Sequence, residues 1–244
     1  GGGGNVSLTT TGHLFLVPFD NSYSGELEWT YTGTSNWDLA SHYDSLTINN
    51  ASNLTGLTFG SYTGMINNNT AVVLDNSSDI NIGLPITIAG PISIYAGNVD
   101  LDNLTVSSAQ GDIKVLANGN IIDTPVASHL ELSTQGGDIL LSSDRDGLNG
   151  GYILIDDTVA NSVTERPTFI SHGGDIIIAG GDVAGSGFAK GTSSYQRGIA
   201  FSGPKIHSDG GDIVIRGESY GKHQGIYFGI NNDPNIESGT GKIY

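Results

Sequence analysis

Gly136-Gly137-Asp138-Ile139, Gly173-Gly174-Asp175-Ile176 and Gly210-Gly211-Asp212-Ile213 recur at a spacing of 37 residues, twice in succession. A fixed period of this length marks a stacked-repeat architecture, in which a unit too small to bury its own apolar face shares a core with its neighbours. Three short apolar-alternating runs follow each motif in the same order. They are Ile139 to Leu141, Tyr152 to Ile155 and Thr168 to Ile170; then Ile176 to Ile178, Gly198 to Phe201 and Lys205 to His207; then Ile213 to Ile215, Gly225 to Phe228 and Asn235 to Glu237. Gly241-Lys242-Ile243 opens another unit.

Upstream the same rhythm continues with shorter connections, in Val72 to Leu74, Ile80 to Ile82 and Ile86 to Ile88, then Ile92 to Tyr95, Val99 to Leu101 and Leu104 to Val106, then Ile113 to Leu116, Asn120 to Ile122 and Leu130 to Leu132. The leading residues Ile92, Ile113, Ile139, Ile176, Ile213 and Ile243 are separated by 21, 26, 37, 37 and 30 residues, so strand lengths hold while loops vary. Three short strands per unit, each pairing in parallel with the units above and below, predict an all-β chain: a parallel β-helix, or β-solenoid. The right-handed form is expected, because a left-handed hexapeptide helix would impose a strict six-residue period. At roughly 4.8 Å per strand the five steps from Ile92 to Ile243 advance the axis by about 24 Å. In Asp175-Ile176-Ile177-Ile178 and Asp212-Ile213-Val214-Ile215 alternate side chains point inward, predicting ladders of Ile and Val as the core.

Composition agrees. The 244 residues include 37 glycines and 7 prolines without a G-X-Y period, which favours frequent tight turns and excludes collagen. Nine basic residues against 25 acidic ones give a formal charge of -16, which repels phosphate backbones and argues against nucleic acid as a partner. The absence of cysteine excludes disulfides and thiolate metal sites. No run of 18 apolar residues offers a transmembrane segment, and Gly1 to Gly4 lacks the basic and apolar regions of a signal peptide. The chain reads as a mature fragment of a larger polypeptide.

Residues 72–244 are expected to form the coils. Residues 1–71 are less regular: Val6 to Leu8, Leu14 to Val17, Leu46 to Ile48 and Leu57 to Phe59 are candidate strands. An aromatic segment from Phe15 to Tyr43 interrupts them, as an excursion from one coil or part of a small preceding domain.

Runs such as Ala89-Gly90-Pro91-Ile92-Ser93-Ile94-Tyr95, Gly119-Asn120-Ile121 and Gly136-Gly137-Asp138-Ile139-Leu140-Leu141-Ser142-Ser143-Asp144 resemble the repeats of filamentous-haemagglutinin-type giant adhesins. The likeness is nearest to long glycine-rich surface proteins of Bacteroidota and covers about residues 72–244. It implies an exported stalk that holds adhesive parts away from the cell. It implies extracellular or cell-surface localisation and outer-membrane secretion machinery as a partner, and it identifies no catalytic residue.

The acidic residue of each motif falls at equivalent corners, so Asp112, Asp138, Asp175 and Asp212 are expected to form a vertical row. Each carboxylate then either caps turn amides or shares a hard cation such as Ca²⁺ with its neighbour. Asp144-Arg145-Asp146-Gly147 is half of a calcium loop, which makes Asp144 and Asp146 the candidate calcium ligands, with a plain polar turn as the competing reading. The six His are scattered without zinc spacing.

Long connections, Ser142 to Gly151, Ala179 to Arg197 and Arg216 to Gln224, follow the first strands of consecutive coils and are expected to project from one side. Loops on a rigid scaffold are where binding resides. Arg145, Lys190, Tyr195, Arg197, Tyr220 and His223 are the candidate ligand contacts, for glycans or proteins at a surface. The competing class is a carbohydrate-active β-helix enzyme, which needs two carboxylates about 5 to 9 Å apart. Asp156 and Asp157 are adjacent and point to opposite faces, and Asp144 and Asp146 have no evident partner base. A stalk without catalytic residues is therefore the expected function.

Overall fold

The computed structural model describes residues 91–101, 105–108, 111–123, 130–155, 166–229 and 233–244, together with the strands that lie between residues 6 and 88. It contains no helix among these residues, and its strands stack as a parallel β-helix of three sheets. A nine-stranded sheet takes the first strand of every coil: Val6–Thr10, Glu26–Tyr31, Ser45–Asn49, Ala71–Asp75, Ile92–Ala96, Ile113–Ala117, Ile139–Ser143, Ile176–Gly180 and Ile213–Ile215. Ile80–Asn81, Val99–Asp100, Ile121–Asp123, Ile153–Ile155, Ile199–Phe201 and Ile226–Phe228 form the second sheet. Ile86–Ile88, Thr105–Ser108, Glu131–Thr134, Thr168–Ile170, Lys205–His207 and Asn235–Glu237 form the third. Among the described residues the pairings within these three sheets are parallel, and for a chain that returns to the same sheet in parallel the right-handed crossover is the rule.

Register follows the periodic isoleucines. Ile92 pairs with Ile113, Ile113 with Ile139, Ile139 with Ile176 and Ile176 with Ile213, which bridges in turn to Ile243. Each of the first five is fully buried, as are Ile94, Val115, Leu141 and Ile178 two positions on. The intervening positions, Ser93, Lys114, Leu140, Ile177 and Val214, turn outward. A slip of one residue would exchange these two sets, so the buried column fixes the register. The second sheet contributes Val99, Ile121, Ile153 and Ile199, and the third Leu132, Phe169 and Ile206, to the same core. Burying one such side chain contributes roughly 1.5–3 kcal/mol. Phe169 meets Phe201 edge-on at 5.8 Å between ring centroids, and Phe201 stacks on Phe228 at 6.1 Å, continuing the packing across coils.

The first sheet runs on across residues 71 and 72. Leu46 pairs with Val72, Leu27 with Leu46 and Val6 with Leu27. Within the aromatic stretch Glu26–Tyr31 belongs to the first sheet, and Asn36–Leu39 joins Phe15–Leu16 and Gly56–Phe59 in a separate three-stranded sheet. Aromatic side chains suit the pleated surface as well as β-branched ones do, so their density is no obstacle to a strand. Any stacking role for the side chains from Phe15 to Tyr43 lies outside the described residues.

Candidate functional site

At the corner before each first strand the motif builds three parallel rows. The second glycine of the pair sits against the backbone of the preceding coil: a Cβ on Gly137 would lie 2.2 Å from the Gly111 carbonyl oxygen, and one on Gly174 would lie 2.1 Å from that of Gly137. Beside this row stand hydroxyls three residues upstream. Thr134, Ser171 and Ser208 are fully buried and donate to the carbonyls of Gly137, Gly174 and Gly211, each at 2.5 Å. The same oxygens lie 3.0, 3.3 and 3.3 Å from the carbonyls of Ser171, Ser208 and Ser238 in the next coil.

The carboxylates form the third row. Oδ1 of Asp112 accepts the backbone N–H of Asp138 at 3.0 Å, Asp138 accepts that of Asp175 at 2.8 Å, Asp175 that of Asp212 at 2.7 Å, and Asp212 that of Lys242 at 2.8 Å. Each aspartate thus caps an amide of the next coil rather than of its own turn. At the start of the row Lys114 Nζ lies 2.9 Å from Asp112 Oδ2. Partial burial pushes the Asp112 carboxyl up. The hydrogen bonds from Lys114 and from the Asp138 amide, with the Lys114 charge, outweigh this and leave it below its ordinary value of 3.8.

The three excursions stack on one another at the edge between the first and second sheets. Lys190 donates its backbone N–H to the carbonyl of Gly151 at 2.8 Å, Ala189 to Arg216 at 3.0 Å and Tyr220 to Gln196 at 2.8 Å, while Ala189–Lys190 pairs with Gly217–Glu218 as a two-stranded extension. Residues 181–187 fold back over the outer face of the first sheet. There Gly185 donates its N–H to Ser142 Oγ at 3.0 Å, and Arg216 Nη1 reaches the Ser186 carbonyl at 3.0 Å.

Most of the predicted ligand contacts are drawn into this stack. Asp144 is fully buried at φ 53°, with Lys190 Nζ 3.1 Å from its Oδ2. Asp146 is exposed and accepts the N–H of Leu148 at 3.0 Å. The Asp144 carboxylate is thus buried beside an ammonium, while that of Asp146 lies at the exposed surface of the same turn. Among the described residues no three His, Cys, Asp or Glu side chains converge as a metal centre. Asp156 and Asp157 lie outside the described residues.

The Tyr195 ring lies against Tyr152 with centroids 4.7 Å apart. Burial, then the neighbouring Tyr195, raises the Tyr152 hydroxyl above its usual pKa. The Arg197 guanidinium sits 3.9 Å above the Tyr227 ring and that of Arg145 5.1 Å above Tyr95. Tyr220 and His223 stay exposed at the loop tip. Tyr95, Tyr152 and Tyr227 sit on or beside strands, where the period-2 pattern marks only the core and gives no sign of a role for them. The hydroxyl row does have a signal in the sequence, since Thr134, Ser171, Ser208 and Ser238 each precede a motif glycine by three residues.

Fold and surface together define a parallel β-helix with a ladder-built corner on one side and stacked, aromatic-bearing excursions on another. A scan against protein-family models and searches of curated proteins and of solved structures return no match.

Proposed function

We propose that this chain is a stalk segment of a large secreted bacterial surface protein of the filamentous-haemagglutinin type, of Bacteroidota character. In this reading it passes the outer membrane through dedicated secretion machinery and presents its excursions for attachment to extracellular glycans or proteins. The observation that supports this most is the corner ladder: the hydroxyl, glycine and carboxylate rows each hand their hydrogen bonds or contacts to the next coil, so coils with loops of different length stack along one axis through the same corner geometry. Such a structure transmits position over distance, and its chemistry is spent on coil-to-coil contact. Among the described residues Asp144, the buried carboxylate of the excursions, is matched by Lys190, which suits a structural ion pair better than a general acid.

The test is incubation of the purified chain with a panel of polysaccharides, with and without Ca²⁺, following both retained protein and new reducing or unsaturated ends. Retention without new ends is expected. New ends would overturn the stalk in favour of a carbohydrate-active enzyme.

A further inference from the structure

The chain contains two Asn-Gly dipeptides, Asn118-Gly119 and Asn149-Gly150. Glycine has no Cβ, so its backbone nitrogen comes closer to the preceding side-chain amide than that of any other residue. When that nitrogen attacks the asparagine Cγ, a new N–Cγ bond closes a cyclic imide. The bond from Cγ to the side-chain nitrogen breaks, and ammonia leaves with the proton given up by the glycine amide. Water then opens the imide at one or other carbonyl, leaving an aspartyl or an isoaspartyl residue. The sequence of steps consumes only water and needs no oxidant or reductant.

Both asparagines are exposed, so access to water does not separate the two sites. What holds the glycine nitrogen does. Gly119 donates its N–H to the carbonyl of Gly97 at 2.7 Å, Asn118 donates to Ala96 at 2.9 Å, and the Gly119 carbonyl accepts the N–H of Asp144 at 3.1 Å. This peptide is a rung between coils, and turning its nitrogen toward Asn118 Cγ leaves backbone groups without partners. Among the described residues neither the Gly150 N–H nor the Asn149 side chain makes a hydrogen bond. Gly150 lies at φ 76°, in the region glycine enters without strain. The Asp146-Gly147 peptide of the same turn is held, since Gly147 donates its N–H to the Asp144 carbonyl at 3.1 Å. The nucleophile is therefore unengaged at Asn149 and tied down at Asn118.

We propose that Asn149 is a self-modification site, which converts through the Gly150 nitrogen to isoaspartate and aspartate without an enzyme, while coil stacking protects Asn118. Either product places a new carboxylate in the first excursion, one residue from Gly150, whose missing Cβ lies 3.5 Å from Lys190 Cβ. The isoaspartyl form also routes the main chain through Cγ and lengthens it by a methylene. That insertion falls just before Gly151, whose carbonyl accepts the Lys190 N–H at 2.8 Å and the Ser143 hydroxyl at 2.7 Å. The change accumulates with time where the first excursion meets the second, and it is independent of what the excursions bind.

The experiment is incubation of the intact chain at pH 8, folded and in concentrated urea, with peptide mapping by mass spectrometry at intervals and chromatographic separation of isoaspartyl from aspartyl peptides. In the folded chain Asn149 is expected to convert about tenfold faster than Asn118, which must first break a backbone hydrogen bond. In urea the two rates should converge, because the dipeptide is the same and the rung is gone. Equal rates in the folded chain, faster conversion at Asn118, or an Asn149 that converts only in urea would overturn the assignment. A rate difference that persists in urea would overturn the protective role of the coils. Aspartate without isoaspartate at position 149 would show direct hydrolysis of the side-chain amide and overturn attack by Gly150.

Discussion

Within each Gly-Gly pair the two glycines are required for different reasons. Gly173 adopts φ 116°, a backbone conformation closed to L side chains, yet nothing lies near its missing Cβ. Gly174 has no such backbone constraint, but its Cβ would fall 2.1 Å from the Gly137 carbonyl oxygen, so a methyl must force two coils apart. Gly173→Ala is expected to cost about 1–3 kcal/mol through backbone strain, and Gly174→Ala about 3 kcal/mol or more through the broken stacking. Denaturant unfolding of the two variants checks the order. A Gly174→Ala protein as stable as the parent would contradict the close approach. The first position is the more permissive one, since Thr240 occupies it in the last coil, whereas the second is Gly111, Gly137, Gly174, Gly211 or Gly241.

At the scale of the strand and its corner, Asp112 and Lys114 frame the start of Ile113–Ala117. The pair is about two-fifths exposed, so solvent screening limits its contribution to about 0.5 kcal/mol. The Asp112 carboxyl is lowered on folding, so its contribution is complete above pH 3.8 and is lost as pH falls through the lower folded value. The Lys114 ammonium is raised by its hydrogen bond to Asp112, against the opposing effect of burial, so its contribution is present below pH 10.5 and is lost as pH climbs through the higher folded value. K114Q should therefore melt slightly below the parent at pH 7, and the difference should vanish at pH 2. A constant difference across that range would mean the lysine acts through packing of its stem.

For the whole molecule the acidic balance acts against compactness. A formal charge of -16 and a row of carboxylates one strand apart repel one another, and each coil meets only its neighbours. Raising NaCl from 10 to 150 mM shortens the screening length from about 30 to about 8 Å, so the melting temperature should rise. Thermal unfolding at the two salt concentrations measures this. A fall would mean that ion pairs such as Lys190–Asp144 contribute more than the repulsion removes.

The repeat of Gly-Gly-Asp-Ile and the alternation after it determined the sheets, the register and the buried column, because a period-2 pattern allows only one face to be apolar and equal motifs must stack on equal motifs. They also determined that Asp112, Asp138, Asp175 and Asp212 form a row. What the row bonds to was decided only in three dimensions: the carboxylates take amides 26, 37, 37 and 30 residues away, contacts that no local turn preference contains. The same holds for the excursions. Their positions could be read from loop lengths, but that Lys190 turns to a buried Asp144 while Arg145 and Arg197 lie on Tyr95 and Tyr227 depends on which side chains successive coils bring within a few ångströms. The lateral path of each loop sets that, and the linear pattern does not encode it.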